Sequence, residues 1–358
     1  MSTITIKGLT KSYGAVQVLK EFNVVFQDGE FITLLGPSGC GKTTMLRAIA
    51  GFEVPTTGEI WIDDRMVSGG KTFIPPEDRN IGMVFQSYAV WPHMNVFDNV
   101  AYPLTIKKIP KKEIQTRVRK ILEIVHLAQY EERFPNQLSG GQQQRIALAR
   151  ALVAEPKVLL LDEPLSNLDA KLRESMRFEI KDITRSLGIS VVYVTHDQTE
   201  AMAMSDRILL IQGGVVQQSG TPDEIYNHPA NPFVADFLGK VEFHEGVAQD
   251  GKITLPDWHA TLPYPEMAQK GKVIVAIRPE NIRLLPEGQG IPGTVERMYY
   301  LGDVNDCRIR VGDAVVRVIA DGFSYREHRE GGVVGLEVRE FIVFPDDGST
   351  QEQLRIRT

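Results

Sequence analysis

The chain has few cysteines, no basic excess and no long apolar run, and each absence excludes a class of protein. Two cysteines, Cys40 and Cys307, cannot supply the disulfide framework of a small secreted domain, so we expect a reducing compartment. The formal net charge of -6 gives no indication of nucleic-acid binding. No run of about eighteen apolar residues and no signal-peptide pattern is present. We therefore expect a cytosolic protein that reaches a membrane only through partners.

The hydrophobic content is sufficient for two or three packed domains, since 42% of the 358 residues are hydrophobic. The apolar runs in VLLLDEP and ISVVYVTHD lack the alternation of a half-exposed strand, which indicates buried strands of a parallel sheet. The segment KKIPKKEIQTRVRKILEIVHL instead has helical spacing, which predicts a helical insert with a basic outer face; the apolar positions are Ile114, Val118, Ile121, Leu122 and Val125.

Near Lys240 the pattern changes to short strands with period-two alternation, which indicates a small all-β domain. We therefore predict an α/β core from residues 1–86 and 151–235, a helical subdomain from 87–150, and a C-terminal β-barrel from 236–358. The Pro-rich segment Asn227–Phe233 is the candidate linker.

The segment GPSGCGKT, Gly36–Thr43, matches the phosphate-binding P-loop pattern. Its glycines let backbone N–H groups face a phosphate, and the helix that follows adds its dipole. Lys42 would reach the β- and γ-phosphates and Thr43 would bind Mg²⁺. A plain glycine turn before a helix is the alternative. We also expect the phosphate-facing N–H groups to favour the thiolate of Cys40.

Three further groups follow apolar strands and are expected at the same edge of the sheet. Asp162 would hold Mg²⁺, Glu163 would orient or deprotonate water, and His196 would contact a γ-phosphate. Gln86, after the strand IGMVF, offers an amide to the Mg²⁺ water shell. Each of these side chains alone is more often a cap or a solvated polar group, and their combination with the P-loop favours the functional interpretation.

A second possible phosphate cradle lies in LSGGQQQR, Leu138–Arg145. Ser139 is a natural helix cap, and Gly140 and Gly141 would permit close approach of a phosphate. An ordinary Ser-capped helix is the alternative, and spacing does not say whose phosphate would bind. Tyr13 is a candidate for stacking on an adenine, although a tyrosine at a strand end is ordinarily a packing residue.

Together these segments resemble, in order, the nucleotide-binding subunit of an ATP-binding cassette (ABC) transporter, over about two-thirds of the chain. The resemblance implies a P-loop NTPase core with ATP and Mg²⁺ as cofactors, and two copies packed head to tail. It also implies a catalytic set of Glu163 as base, His196 as switch, Gln86 and Lys42, and a Mg²⁺ set of Thr43, Gln86 and Asp162. The implied nucleotide contacts are Tyr13, Gly36, Pro37, Ser38, Gly39, Cys40, Gly41, Lys42, Thr43 and Thr44, with Ser139, Gly140, Gly141, Gln142 and the coupling residue Asp169 serving the partner copy's site.

The same resemblance implies two transmembrane permease subunits docked near Gln86, at the cytoplasmic face of the membrane, and indirectly a solute-binding protein. SYAVWPHMNV would supply part of the docking groove through Tyr88, Trp91 and Met94, although Val90-Trp91 departs from the usual Leu followed by Phe or Tyr. AIRPENIRL, Ala276–Leu284, resembles the accessory OB-like TOBE domain of importers, which pairs subunits and sometimes binds a regulator.

One segment bears on the identity of the solute. FLGKVEFHEG is closer to iron, phosphonate and polyamine relatives than to sugar importers, which remain the alternative. A cassette protein acting on DNA or the ribosome would carry a long coiled coil or a second cassette, and neither is present. A P-loop kinase or GTPase is disfavoured by the lack of an Asn-Lys-x-Asp guanine reader.

Overall fold

The computed structural model describes residues 3–265, 268–322 and 329–350, and the chain divides into two compact units, Met1–Asp223 and Glu224–Thr358. The Pro-rich segment Asn227–Phe233 therefore lies inside the second unit, and predicting it as a linker was wrong. A helix begins within it at Pro232, and Pro229 and Pro232 are themselves buried. These prolines pack inside a folded unit and do not form an exposed linker.

The first unit alternates strands and helices. Its strands are β1 (Ile4–Tyr13), β2 (Val16–Phe26), β3 (Phe31–Leu35), β4 (Thr57–Ile62), β5 (Arg65–Gly69), β6 (Thr72–Phe73), β7 (Ile81–Val84), β8 (Val158–Asp162), β9 (Ser190–Thr195), β10 (Arg207–Gln212) and β11 (Val215–Gly220). Its helices are α1 (Lys42–Ala50), α2 (Val96–Ile106), α3 (Lys111–Ile124), α4 (Gly140–Leu152), α5 (Ala170–Leu187) and α6 (Gln198–Met204), and α7 (Pro222–Asn227) continues into the second unit.

Two sheets form the framework of this unit. One has the order β11-β10-β3-β9-β8-β7, in which every pair from β10 to β7 is parallel and β11 is antiparallel. The other is the antiparallel sheet β2-β1-β4-β5-β6. All residues of β8 and β9 are buried, as their uninterrupted apolar runs predict. The parallel arrangement brings the carboxyl ends of β3, β7, β8 and β9 to one edge.

The basic segment after Pro110 forms α3, as its spacing predicts. Ile114, Val118, Ile121 and Leu122 are buried, and Val125 at the helix end is fully buried. These residues belong to a hydrophobic cluster that also includes residues of α2, α4, α5 and the strands β8 and β9. The helical subdomain therefore packs on the parallel sheet through one continuous core.

The second unit is all-β after two short helices, the end of α7 and α8 (Pro232–Phe237). Its strands are β12 (Glu242–Gln249), β13 (Lys252–Leu255), β14 (Ala260–Pro263), β15 (Gly271–Ile277), β16 (Ile282–Leu285), β17 (Ile291–Tyr300), β18 (Val304–Val311), β19 (Ala314–Asp321), β20 (Val333–Val338) and β21 (Ile342–Pro345). They form two five-stranded antiparallel sheets, β14-β13-β12-β15-β21 and β16-β20-β17-β18-β19, which share one hydrophobic core.

The segment AIRPENIRL connects the two sheets of the second unit, running from the end of β15 into β16. Within it Arg278 is 3% exposed, and its guanidinium stacks 3.7 Å above the ring of Tyr226 and donates to the Tyr226 carbonyl at 3.0 Å. This arginine fixes the turn between two strands. Among the helices of the described residues, none has the length and apolar character to cross a membrane.

Candidate active site

The loop Gly36–Gly41 joins the buried strand β3 to helix α1. Gly36, Gly39 and Gly41 have positive φ values of 154°, 79° and 106°, a region that a β-carbon makes unfavourable. A β-carbon at Gly36 would lie 2.1 Å from the Ile211 carbonyl oxygen, and one at Gly41 would lie 2.6 Å from Leu19. Backbone conformation therefore favours glycine at all three positions, and close packing requires it at Gly36 and Gly41. The three glycines form a loop at a helix N-terminus, where anions bind.

Lys42, the first residue of α1, is only 5% exposed, and its ammonium donates to the carbonyls of Gly36 at 2.7 Å and Pro37 at 2.9 Å. The next residue, Thr43, donates its hydroxyl to Asp162 Oδ1 at 3.0 Å. Burial raises the pKa of Asp162, and the hydrogen bond from Thr43 opposes that rise. A hydroxyl and a buried carboxylate thus meet beside the loop, a donor set that suits Mg²⁺ when phosphates supply further oxygens.

Glu163 lies at the centre of a second group of polar side chains. Its Oε2 accepts a hydrogen bond of 3.4 Å from Nε2 of Gln86 and lies 3.2 Å from Nδ1 of His196. Glu163 has a φ of 45°, in the left-handed region that non-glycine residues rarely adopt. Two residues that are distant from Glu163 in sequence thus converge on its carboxylate.

Two residues that the sequence analysis did not assign support this group. Asn167 donates its amide to the Gln86 carbonyl at 2.9 Å, and Ser166 donates its hydroxyl to the Glu163 carbonyl at 2.9 Å. Both lie in SNLDA, Ser166–Ala170, the segment that also contains Asp169. The sequence signal for these two residues is a polar run directly after the acidic end of β8, because serine and asparagine side chains hydrogen-bond nearby backbone groups in turns.

Cys40 contradicts the expectation of a favoured thiolate. The side chain is 4% exposed, and its burial raises the pKa of the thiol, outweighing the opposing influence of Lys42. Desolvation disfavours the charged form more strongly than the nearby ammonium favours it. In this structure Cys40 is a buried packing residue of the loop.

Ser139 caps helix α4 as its sequence position predicts. Its hydroxyl accepts from the Gln142 N–H at 3.4 Å, and the Gln142 side chain accepts from the Ser139 N–H at 2.9 Å. Within the described ranges, no hydrogen bond joins this pair to Gly36–Thr44. Gly141 has a packing role as well, since a β-carbon there would lie 3.0 Å from Leu172. Asp169 caps α5 by accepting from the Leu172 N–H at 3.0 Å.

Tyr13 lies at the end of β1, opposite Val16 in the turn to β2. Its side chain is 46% exposed, and the Lys11 ammonium lies 4.8 Å from the ring centroid. One ring face is therefore engaged by a cation, and much of the remaining surface is accessible.

Aromatic side chains flank the Gln86 segment. Phe85 packs on Phe52 with centroids 5.9 Å apart, and Trp91 packs on Tyr102 with centroids 4.4 Å apart. Phe52 is 53% exposed, whereas Tyr88 is 7% exposed and belongs to the core of the helical subdomain. Of the residues expected in a partner groove, Trp91 and Met94 are thus half-buried and Tyr88 is buried.

Arg150, near the end of α4, also contacts this segment. Its guanidinium lies 4.4 Å from the Trp91 ring centroid and donates to the Ala89 and Tyr88 carbonyls at 2.6 and 2.8 Å. It thereby holds a turn in which Tyr88 and Ala89 have φ values of 60° and 49°.

Two family models match the chain, an ABC transporter model over residues 19–166 and a TOBE domain model over residues 275–340. The chain is 46% identical over 333 residues to a trehalose/maltose import ATP-binding protein of Thermococcus litoralis, with 87% of this chain and 89% of the relative covered. It is 47% identical over 330 residues to a spermidine/putrescine import ATP-binding protein of Marinobacter nauticus, with 89% and 87% covered.

Among solved structures, the chain is similar to a dimeric ATP-binding cassette in a post-hydrolysis state, bound to ADP and Pi. The TM-score is 0.55 with 34% identity, and the match covers 61% of this chain and 98% of the other. A dimeric structure of a bacterial ABC transporter cassette matches with a TM-score of 0.53 at the same identity and coverage. The expected fold, an α/β cassette followed by an all-β TOBE-type domain, is confirmed.

Proposed function

Because the chain belongs to the ATP-binding subunits of ABC importers, we propose that its ATPase reaction is carried out by the residues gathered around Glu163 and that it drives uptake of a polyamine. The observation that carries the proposal is the convergence of Gln86 and His196 on Glu163, beside the contact of Thr43 with Asp162. One edge of the parallel sheet thus holds a phosphate loop, a carboxylate pair and a histidine.

The proposed role of Glu163 is that of the general base. Its carboxylate accepts a hydrogen bond from Gln86 and lies within 3.2 Å of His196 Nδ1. A water bound to this carboxylate would be oriented for attack on a phosphorus atom. Gln86 and His196 hold the carboxylate from two sides, so it does not have to reorganise during the reaction. His196 would in addition contact the transferred phosphoryl group, as the switch.

The phosphates of ATP would lie on the loop Gly36–Thr44, with the ammonium of Lys42 neutralising the β- and γ-phosphates. To do so, Lys42 would exchange its two carbonyl partners for phosphate oxygens. Thr43, Asp162 and Gln86 would hold Mg²⁺, which neutralises charge on the phosphates when bound. Tyr13 would stack on adenine through its exposed ring.

We propose that two copies assemble head to tail, so that Ser139, Gly140, Gly141 and Gln142 of one copy cover the ATP of the other. The similar solved cassettes are dimers. In this chain Ser139 and Gly140 are exposed at the start of α4, and a helix N-terminus of this kind suits a phosphate. Asp169, exposed at the start of α5, would couple the two ATP sites of the dimer.

The proposed docking surface for membrane subunits comprises the exposed side chain of Phe52, which packs on Phe85 next to Gln86, and those of Tyr102 and Ile106 on α2. Phe52 is 53% exposed, Tyr102 is 37% exposed and Ile106 is 64% exposed. Exposed apolar side chains grouped around a functional loop are typical of protein interfaces. Binding there would place the chain at the cytoplasmic face of a membrane, in contact with a permease pair.

The solute proposal rests on the relatives. The relative from Marinobacter nauticus is a spermidine/putrescine import subunit, and the relative from Thermococcus litoralis is a trehalose/maltose import subunit. We favour a polyamine, which agrees with the junction FLGKVEFHEG, and a sugar is the second candidate because a sugar importer subunit is equally similar. Iron(III) and phosphonate are the other solutes that the junction indicated.

The test is affinity purification of the tagged chain from detergent-solubilised native membranes, followed by mass spectrometry. We expect a permease pair and a solute-binding protein that binds spermidine. A binding protein specific for maltose would replace polyamine by sugar. Recovery of ribosomal or DNA-bound partners alone would overturn the transport assignment.

Two variants test the docking surface in the same experiment. Ile106→Asp introduces a charge into the proposed surface and should abolish recovery of the permease. Phe178→Asp is the matched control, because Phe178 is 53% exposed on α5. Equal permease recovery with both variants would contradict the proposed surface.

A further inference from the structure

Arg173 connects two loops of the active site. It lies in the first turn of α5, and its Nη2 donates to the Leu168 carbonyl at 3.1 Å. Its Nη1 lies 3.6 Å from Oδ2 of Asp197. Leu168 belongs to the loop Ser166–Asp169, and Asp197 directly follows His196. One guanidinium therefore spans the loop after the carboxylate pair and the loop that carries the histidine.

Both loops are attached to the reacting groups. In the loop Ser166–Asp169, Ser166 is bound to the Glu163 carbonyl and Asn167 to the Gln86 carbonyl. Asp169, at the end of this loop, caps α5 and has an exposed side chain. A displacement of this loop would therefore reach Glu163 and Gln86 through short hydrogen bonds.

The other loop is equally well fixed. Oδ1 of Asp197 accepts from the N–H groups of Thr199 and Glu200 at 2.8 and 3.1 Å, which caps α6. The Asp197 N–H donates to the Thr195 hydroxyl at 2.9 Å. His196 is thus held between two anchored residues, while its own side chain is 58% exposed.

The contacts of Arg173 are not explained by stability alone. The Arg173 side chain is 31% exposed and the Asp197 side chain is 25% exposed. An ion pair in contact with solvent to this extent contributes little to the free energy of unfolding. Its Nε is buried without a hydrogen-bond partner among the described residues, which is unfavourable. The guanidinium borders a cavity of about 40 Å³ that is also lined by Glu163, Thr195 and His196. A buried polar atom without a partner, next to reacting groups, is typical of a residue that is kept for function.

We propose that Arg173 is a positioning residue that fixes the loop Ser166–Asp169 relative to the loop of His196, so that movement of Asp169 changes the position of His196 against Glu163. This inference rests on the proposed roles of Glu163 and His196. Arg173 contacts no reacting atom. Its effect is on turnover and on the coupling between two ATP sites, not on the binding of nucleotide.

A double-mutant cycle on ATP hydrolysis tests the inference, using Arg173→Ala, Asp197→Asn and the double variant of the full chain. Asp197→Asn keeps the Oδ1 cap of α6 and removes the charge that faces Arg173. We expect each single change to lower kcat on the order of 10-fold, with KM for ATP within about twofold, and to lower the Hill coefficient for ATP. The double variant should be no slower than the slower single variant, because each change breaks the same contact between Arg173 and Asp197.

Two further variants complete the test. Arg173→Lys should recover part of kcat, since an ammonium reaches one partner at a time whereas a guanidinium reaches both. Arg185→Ala is the control, as Arg185 is exposed at the other end of α5. Additive effects in the cycle, an unchanged kcat and Hill coefficient, or a loss explained by a lower unfolding temperature would overturn the inference. A Glu163→Gln variant measured alongside reports separately on the proposed base.

Discussion

The Nδ1 atom of His196 lies 3.2 Å from Oε2 of Glu163. Glu163 directly follows β8 and His196 directly follows the neighbouring parallel strand β9. Gln86 follows β7, on the other side of β8, and donates to the same carboxylate. A carboxylate held from two sides is preorganised to accept a proton from water.

Glu163→Gln should bind ATP normally and lower kcat on the order of 100-fold or more, because an amide cannot act as a base. The measurement is phosphate release at saturating ATP, together with ATP binding. Glu174→Gln is the control, since Glu174 is exposed on α5. Hydrolysis by Glu163→Gln at the wild-type rate would remove Glu163 from the role of base.

Lys42→Ala should weaken ATP binding by at least about tenfold, because removal of the ammonium leaves the phosphate charge uncompensated within the loop. Binding of a fluorescent ATP analogue measures the effect. Lys171→Ala, on the exposed start of α5, is the charge-matched control. If both variants bind the analogue with equal affinity, the loop does not hold the phosphates through Lys42.

Asp162→Asn should raise the unfolding temperature of the nucleotide-free protein at pH 7 and lower Mg²⁺-dependent hydrolysis on the order of 100-fold. Burial raises the pKa of Asp162 above its ordinary value of 3.8. Asp162 therefore binds its proton more tightly in the folded state than in the unfolded state. The contribution of Asp162 to the free energy of unfolding falls as the pH rises through its pKa in the folded state. Asparagine removes the buried charge while its Oδ1 still accepts from Thr43.

The stability gain from Asp162→Asn should accordingly disappear below about pH 3.8, where the aspartate is protonated in both states. Thermal unfolding measured between pH 3 and pH 8 gives the profile. A gain that is independent of pH, or a loss of stability at pH 7, would contradict the attribution to burial.

Cys40 should react slowly with a maleimide at pH 7 and faster as pH rises, because burial raises the pKa of its thiol and limits access. A Cys307→Ser variant isolates the signal, and the urea-unfolded chain provides the reference rate. Cys307 itself is fully buried, and burial raises its pKa to about 11. Full ATPase activity after complete labelling of Cys40 would show that the thiol is remote from bound ATP.

Much of the fold and the choice of site residues could be predicted from local patterns. The glycines of the P-loop are specified by backbone conformation, and the apolar runs of β8 and β9 are specified by burial on both faces. The spacing of Ile114 to Val125 likewise determines which face of α3 packs. These are properties of residues that are close in sequence, so the sequence alone specifies them.

Other features depend on elements that are distant in sequence. The sheet order places β8 between β7 and β9, which brings Gln86 and His196 to Glu163 from opposite sides. Gly141 packs closely against Leu172, which leaves little room for a β-carbon. Burial raises the pKa of the Cys40 thiol, whereas the sequence predicted a lowered one. The Pro-rich segment lies within the second unit, with Pro229 and Pro232 buried.

The sequence by itself thus determined which chemical groups are present and which local conformations carry them, because backbone conformation and hydrophobic periodicity are encoded within a few residues. Only the tertiary structure decided which of these groups meet, how deeply each is buried, and that Arg173 spans two loops. Those properties depend on strand order and on packing between remote segments, where distance and desolvation set the energy of every contact.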